Sequence, residues 1–376
     1  MDHNIVKTYP LVRVLILLVL VLVVIACGQG SAVNEYGITS ALCSDNEGPN
    51  CNKLRLGDDY LTTASPARGY LYSCTGKNPN APGSIESRIT WIDFSTHTWN
   101  FLEKLWLPKG TFDPGKGTHS ETVSGDIRNI TTNSIPMDGM IGDWPMTSYT
   151  VLSAIDPNPG LPRAIKYSAD LPLQGTEAKA PGCVSPGAIG VTKNGVTIYN
   201  AADGRGEDAV AREIVDVFGG HPARGNYHYH FIPERLDNNF LIDGHSGIVG
   251  YINDGFPIYG YRGVGSVEMS NKDLDLCHGH EHGELNYHYH ATLEYPYTVG
   301  CYKGEVSQRL AVNDALKPIT RPDHRSPDIA GAAHMLGIPE ADLMQALGPP
   351  PPDLGLTSEI LGISETDLRN VLGLPR

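Results

Sequence analysis

The sequence predicts a mainly β fold, sandwich-like and with few short helices, followed by a small all-α appendage. Between about residues 30 and 200, short β-type runs such as "YLYSC", "RITWIDF" and "GVTIYNA" alternate with turn residues. Two Tyr-His-Tyr-His tetrapeptides, at 227–230 and 287–290, have the alternation of a strand. From about residue 325 the apolar residues recur at helical spacing instead.

The N-terminus is typical of a secretory signal. Lys7 and Arg13 precede the apolar run 14–25, which is shorter than the roughly 20 residues that span a bilayer. The "VIAC" that follows resembles a bacterial lipoprotein box. We therefore expect residues 1–26 to be removed and Cys27 to carry a lipid, which would anchor the exported protein to a membrane of the cell envelope. Secretion with a cut elsewhere and an uncleaved anchor are the alternatives.

The charge balance argues against one class of partner. The chain has 28 Lys and Arg against 42 Asp and Glu, a formal net charge of −14. Loss of residues 1–26 removes Asp2, Lys7 and Arg13, which leaves the mature chain at −15. An acidic surface repels phosphate backbones, and an exported protein meets little nucleic acid. Nucleic acid is therefore not expected as a partner.

Six cysteines follow Cys27, and an even number in an oxidising compartment favours up to three disulfides. Cys43 and Cys51 flank a short polar loop, and Cys277 and Cys301 bracket the second tetrapeptide. Elimination pairs Cys74 with Cys183, although six cysteines allow 15 connectivities. Thiolate metal ligation is the alternative, but no pair has the two-residue spacing of a zinc ribbon.

Composition divides the chain into segments: signal peptide 1–26, tether with a small disulfide loop 27–64, β domain 65–304, linker 305–326 and helical tail 327–376. Within the β domain, the spacing of Val210, Ile214 and Val217 predicts a short helix over 207–218. This helix leads directly to His221.

The tail contains two copies of one unit, "PDIAGAAHMLGIPEADLMQALG" and "PDLGLTSEILGISETDLRNVLG", offset by 25 residues. Each copy predicts a helix, a Leu-Gly-Ile turn and a second helix, and Ser364 with Asp367 predicts an N-cap. The repeats resemble a DNA-reading helix-turn-helix only superficially, because the chain is acidic and exported. They are interpreted as a packing appendage or a contact for a protein partner.

Histidines gather in one segment, 221–302, which holds nine of the 14 histidines and ten of the 18 tyrosines. Each tetrapeptide belongs to a longer repeat, in which Gly-His precedes Asn-Tyr-His-Tyr-His at near-equal spacing. The predicted metal ligands are the histidines of these two repeats: His221, His228, His230, His280, His288 and His290.

The spacing explains why these residues suit a metal ion. Residues i and i+2 of a strand share one face about 6.6–6.8 Å apart, so both imidazoles of a tetrapeptide can reach one ion. His221 or His280 would supply a third imidazole, as in three-histidine zinc sites. The alternative is an amphipathic strand with buried tyrosine and solvated histidine, but packing alone does not explain two matching copies. Because a ligating imidazole must be neutral, affinity should fall below about pH 6.5.

Other polar residues near the repeats are weaker candidates. His245 and Asp254 are the candidate catalytic residues, since a Ser-His-Asp arrangement with Ser246 is conceivable, but the sequence has no Gly-x-Ser-x-Gly elbow. A carboxylate that orients a ligand or acts as a base is more plausible. Its candidates are Asp254, Asp208, Glu213 and Asp216. His278 and His282 are either extra ligands or solvated side chains.

The chain resembles the YHYH-domain family over much of residues 65–304. The resemblance rests on "CVSPGAIGVTKNGVTIYNA", "DAVAREIVDVFGGHP", "GNYHYH", "DGHSGIVGYINDGFPIYGY" and "LDLCHGHEHGELNYHYHATLEYPYTVGCYKG", in this order. It implies an exported protein, often a lipoprotein, and no particular reaction. Members usually have a cysteine where Phe218 stands and a partner cysteine shortly after the first tetrapeptide. Both are absent here, which implies that the first motif is less braced.

Together these features predict a cell-envelope lipoprotein that binds a transition metal, copper or zinc, through the duplicated histidine motifs. Two alternatives remain: a metal-dependent extracytoplasmic hydrolase or oxidase, and a metal-free module that recognises glycans or surfaces. Like halves tend to pack about a twofold axis. The two Tyr-His-Tyr-His strands are therefore expected to lie close together and to form a shared or paired centre.

Overall fold

The computed structural model describes residues 36–37, 40–43, 49–306, 332–333, 336, 338–348, 352 and 354–372. The predicted signal peptide and Cys27 lie outside these residues, as does nearly all of the predicted linker. Within the described part of the chain, no helix is both long and apolar enough to cross a membrane.

Strands dominate the described residues, so the mainly β prediction is confirmed. The strands are β1 Leu54–Arg55, β2 Leu61–Thr62, β3 Leu71–Tyr72, β4 Ile92–Asp93, β5 Thr98–Trp99, β6 His119–Ser124, β7 Ile127–Thr132, β8 Tyr167–Pro172, β9 Glu177–Gly182, β10 Ala188–Thr192, β11 Thr197–Tyr199, β12 Gly220–Ala223, β13 Asn226–Tyr229, β14 Ile248–Ile252, β15 Pro257–Tyr259, β16 Gly279–His282, β17 Leu285–His290 and β18 Tyr302–Gly304. The helices are α1 Thr150–Ile155, α2 Ala209–Arg212, α3 Glu340–Leu347, α4 Leu354–Leu361 and α5 Glu365–Val371.

An eight-stranded sheet organises the β domain, in the order β12-β13-β11-β10-β14-β15-β17-β16. Its two halves have the same construction. In each half an outer hairpin, β12-β13 or β16-β17, pairs in parallel with the next strand, β11 or β15. The strands β10 and β14 then join the halves by antiparallel pairing.

The pairing of β10 with β14 reveals a pseudo-twofold axis. Gly190 pairs with Ile252, and Thr192 pairs with Gly250. Gly250 and Ile252 follow Gly190 and Thr192 by 60 residues, so exchanging the halves reproduces the register. The duplicated unit is therefore larger than the Gly-His and Tyr-His-Tyr-His motifs and begins at β10 and β14. The related segments "NGVTIYN" and "DGFPIYG" are its sequence signal.

A second sheet covers the joint between the halves. Strands β6, β7 and β8 form an antiparallel sheet, and its apolar side chains pack against the centre of the large sheet. The residues in this contact are Ile130, Tyr167, Ala169 and Leu171 on one side and Val191 and Tyr251 on the other. This face-to-face packing forms the sandwich-like layer.

The helix predicted over 207–218 is wrong in length, because α2 ends at Arg212. Asp208 caps its start by accepting a hydrogen bond from the Ala211 amide at 3.1 Å. Beyond Glu213 the chain is extended, and Asp216 forms a parallel bridge with Leu107. The β-branched run that follows Glu213 favours extended backbone over helix.

All three predicted disulfides are present: Cys43–Cys51, Cys74–Cys183 and Cys277–Cys301. The last one joins the chain just before β16 to the start of β18. It therefore braces the second tetrapeptide hairpin, as the sequence predicted.

The helical tail has its own small apolar core, which includes Leu343, Leu347, Leu368 and Leu372. The predicted N-cap is confirmed, because the Asp367 amide donates to Ser364 Oγ at 3.0 Å and this hydroxyl donates to the Asp367 carboxylate. The first helix of the first repeat lies only partly within the described residues.

Candidate metal centres

The two Tyr-His-Tyr-His strands do not lie close together. Four strands separate β13 from β17 in the large sheet, so the two are about 24 Å apart at the usual strand spacing. The expectation of a shared centre is therefore wrong. The pseudo-twofold axis passes through the β10-β14 joint and places the two hairpins at opposite ends of the sheet.

The first cluster consists of His221, His228 and His230, all buried. His221 on β12 lies directly opposite His228 on β13, and His230 follows two residues later. Cross-strand neighbours and i, i+2 neighbours share one face of a sheet, so the three imidazoles converge. Their ligand nitrogens all lie within 4.8 Å of one another.

The hydrogen bonds of this cluster define its tautomers. His228 Nδ1 donates to the Asn226 carbonyl at 2.9 Å, and His230 Nδ1 donates to the Asn200 carbonyl. A carbonyl oxygen only accepts, so both protons sit on Nδ1 and the Nε2 atoms of the neutral rings carry lone pairs. These two Nε2 atoms face each other at 3.0 Å. A cation between them would relieve the repulsion of the facing lone pairs.

The second cluster consists of His245, His280, His288 and His290. His280 on β16 lies opposite His288 on β17, the same arrangement as in the first cluster. His245 comes from the segment before β14 and is fully buried. From the sequence, His245 is a candidate catalytic residue and not a predicted ligand, because no spacing rule connects it with the repeats.

Three rings of the second cluster have the same hydrogen-bond pattern as His228 and His230. The Nδ1 atoms of His245, His288 and His290 donate to the carbonyls of Ser246, Asn286 and Gly260, respectively. Their Nε2 lone pairs therefore point at one another. The Nε2 separations are 3.3 Å for His288 with His245, 3.2 Å for His290 with His245 and 3.1 Å for His290 with His280.

Burial favours the neutral form of six of the cluster histidines. It lowers the pKa of His230, His280 and His288 to about 4, and neighbouring histidines add to the effect at the last two. Burial lowers the pKa of His221, His228 and His290 well below the usual value. In the folded chain these six imidazoles are therefore protonated at more acidic pH than a free histidine, which shifts the predicted fall in metal affinity below pH 6.5.

Each half anchors its hairpin through a tyrosine of the tetrapeptide. Tyr227 donates to the carboxylate of Asp216 at 2.8 Å, and Tyr287 donates to that of Asp275 at 3.0 Å. All four tetrapeptide tyrosines are buried on the face opposite the histidines. Asp216, which was considered as a carboxylate near the ligands, therefore holds the tyrosine face and not the histidine face.

A carboxylate does approach the first cluster. Glu213 Oε2 lies 3.3 Å from His221 Nε2 and 3.7 Å from His230 Nε2. Burial, together with Asp156 and Asp203, raises the pKa of Glu213 well above its usual value. The three histidines and Glu213 line a pocket of about 300 Å³.

The conceivable Ser-His-Asp triad is not assembled. Ser246 Oγ donates to Asp237 at 2.9 Å, and His245 Nδ1 is engaged by the Ser246 carbonyl. Asp254 instead accepts hydrogen bonds from the Tyr289 hydroxyl and the Gly304 amide. Asp254 thus braces the second hairpin from its tyrosine face, and His245 belongs to the histidine cluster.

His278 and His282, which flank His280 in the sequence, differ in burial and in contacts. His278 is buried, with Nε2 3.0 Å from Thr292 Oγ1, and it belongs to neither cluster, so both roles considered for it are wrong. His282 lies at the rim of the second cluster, half-buried, with Nε2 3.2 Å from Asp243. Asp208, the remaining carboxylate candidate, accepts from Tyr297 and the Gly57 amide. It therefore supports the fold and not a ligand.

The resemblance noted from the motifs is confirmed by a family comparison. The sequence model of the YHYH protein family matches residues 168–272, from within β8 to the segment between β15 and β16. Residues 168–272 are therefore similar to the YHYH protein family, and the second Tyr-His-Tyr-His tetrapeptide lies outside the matched segment. Neither a curated protein nor a solved structure matches the chain.

Proposed function

We propose that this chain binds transition-metal ions, zinc or copper, with one ion in each histidine cluster. The observation that carries the proposal is the close approach of buried imidazole Nε2 atoms, 3.0–3.3 Å apart, whose Nδ1 atoms are engaged by backbone carbonyls. Five Nδ1 atoms donate to backbone carbonyls, an outer set of hydrogen bonds typical of metal-ligating histidines.

The spacing in the second cluster supports a tetrahedral ion. Zinc–nitrogen distances of about 2.0–2.1 Å place the nitrogens of a tetrahedron about 3.3–3.4 Å apart. Adjacent ligands of a square-planar ion at about 2.0 Å would be only about 2.8 Å apart. The separations of 3.1–3.3 Å are closer to the tetrahedral value. Zinc is therefore the preferred ion there, and copper is the alternative.

The test is elemental analysis of the protein purified without a histidine tag. We expect about two ions per chain in the wild type and none in the variant H228A/H230A/H288A/H290A. A wild-type protein that neither retains nor takes up zinc or copper would overturn the proposal and leave metal-free recognition of a glycan or surface as the better hypothesis.

The pocket at the first cluster supports a second candidate function, a metal-dependent enzyme. An ion held there would face about 300 Å³ of space lined by its own ligands and by Glu213. Such an ion could activate water or oxygen. Hydrolysis of nitrophenyl esters and consumption of oxygen should be measured for the metal-loaded protein and for H228A/H230A. Activity that is equal in both would exclude a catalytic first cluster.

We also propose that the protein is an exported lipoprotein anchored through Cys27. The apolar run that ends at "VIAC" supports this address. The wild type should partition with membranes and lack residues 1–26. Cys27→Ser protein that still partitions with membranes, with residues 1–26 retained, would favour an uncleaved anchor instead.

A further inference from the structure

Glu213 and His221 have buried polar atoms that their hydrogen bonds do not account for. Glu213 Oε2 is buried and has no hydrogen-bond partner among the described residues, and the same holds for both ring nitrogens of His221. A buried polar atom without a partner is destabilising, and a charged one is more so. Glu213 Oε2 and His221 Nε2 are 3.3 Å apart, so one cation could satisfy both.

The pseudo-twofold axis shows that this carboxylate is specific to the first half. Glu213 precedes Asp216 by three residues, and at the corresponding position before Asp275 the second half has Lys272. The fourth histidine of the second cluster, His245, is by contrast specific to the second half. His245 lies three residues before β14, and Ser185 occupies this position before β10. Each half therefore has one extra group beyond the shared three histidines.

From these contacts we infer that Glu213 is a fourth ligand of the first centre and that the pocket lets a small anion reach the bound ion. This inference rests on the proposed metal binding. Three neutral imidazoles and one carboxylate leave a divalent ion with one net positive charge. The first centre would thus be a mixed nitrogen–oxygen site, whereas the second would be held by imidazoles alone.

The pocket has the chemistry to admit such an anion. Besides the ligands, its lining includes Ser73, Thr75 and Arg224. Asn200 also lines it, but its amide already donates to the Ser185 carbonyl at 3.1 Å. Asp203 also lines the pocket, and its negative charge would oppose an anion. Its Oδ1 accepts hydrogen bonds from the amides of Arg205 and Glu207 at 2.8 Å each. Hydrogen-bond donors and one cation near the ion suit a small oxyanion or pseudohalide.

The first arm of the test measures zinc binding by titration calorimetry. Glu213→Gln should lower the affinity for one of the two zinc ions by at least about 10-fold and leave the affinity for the other unchanged. Glu207→Gln is the matched control, because Glu207 is a nearby carboxylate that lies 3.6 Å from Arg212. It should bind both ions as the wild type does. The unchanged ion of the second cluster also reports that Glu213→Gln is folded.

The second arm uses cobalt(II) as a spectroscopic substitute and azide as the anion. Azide should change the visible absorption of the cobalt protein, and H228A/H230A should abolish this change while H288A/H290A retains it. Equal zinc affinities in Glu213→Gln and the wild type, or no effect of azide on the first centre, would overturn the inference. A wild type that binds no ion would instead overturn the proposed function itself.

Discussion

The two histidine clusters share a scaffold and differ in what completes them. In both, a Gly-His strand pairs with a Tyr-His-Tyr-His strand, and the register brings the same three histidines together. His245 then joins the second cluster, whereas Glu213 approaches the first. The strands of a duplicated unit thus repeat faithfully, and the segments before them diverge. Shared geometry therefore does not imply shared chemistry.

The halves also differ in how the hairpin is braced. Cys277 in the second half forms a disulfide with Cys301, and Phe218 occupies the corresponding position of the first half. The amides of both residues donate to the preceding aspartate, Asp275 or Asp216. The local turn is therefore the same with or without the disulfide.

The largest expected effect comes from removing the ligands of one half. H228A/H230A and H288A/H290A should each lose one of two ions, with affinity for that ion reduced at least about 100-fold, because two strand ligands are gone. Elemental analysis and calorimetry of both variants measure this. Loss of both ions in either variant would mean that the two clusters depend on each other.

Removal of the Cys277–Cys301 disulfide should have the second-largest effect. The effect on metal binding should be confined to the second half. C277S/C301S is expected to lose about 3 kcal/mol in free energy of unfolding, since the bond closes a 24-residue separation. Zinc affinity should fall at the second cluster only. C43S/C51S is the control, because this disulfide spans eight residues and should affect neither ion. Equal weakening of both ions by C277S/C301S would contradict an independent brace.

Acidification should destabilise the metal-free chain over a defined range. Burial lowers the pKa of His230 to about 4, whereas an unfolded histidine titrates near 6.5. The contribution of His230 to the free energy of unfolding is therefore fully present above about pH 6.5. It decreases as the pH drops towards 4, because the unfolded chain binds protons more readily. A single such group contributes on the order of 3 kcal/mol. Urea unfolding at pH 7, 5.5 and 4.5 measures the loss, and a flat profile would indicate exposed histidines.

Deletion of residues 325–376 should have the smallest effect. The tail has its own apolar core around Leu343 and Leu368, so both ions should still bind with unchanged affinity. Calorimetry of the truncated protein measures this. A truncated protein that loses metal and cooperative unfolding together would show that the tail belongs to the β domain.

The sequence alone was sufficient for the local features. Period-two alternation predicted the tetrapeptide strands, and the paired Gly-His motif identified the three histidine positions that the two clusters share, because hairpin register and side-chain alternation are local properties. The disulfides followed from cysteine number and position. The helix over 207–218 was overestimated, because apolar spacing alone does not register that β-branched residues favour the extended chain that pairs with Leu107.

Tertiary structure decided where the repeats lie and which groups complete them. The sequence favoured one shared centre, but the antiparallel pairing of β10 with β14 places the axis between the halves and the hairpins at opposite ends. His245 reaches the second cluster from 43 residues away in sequence, and Glu213 reaches the first because the chain is extended after α2. No periodicity encodes such contacts, because they arise from how separate segments pack around the sheet.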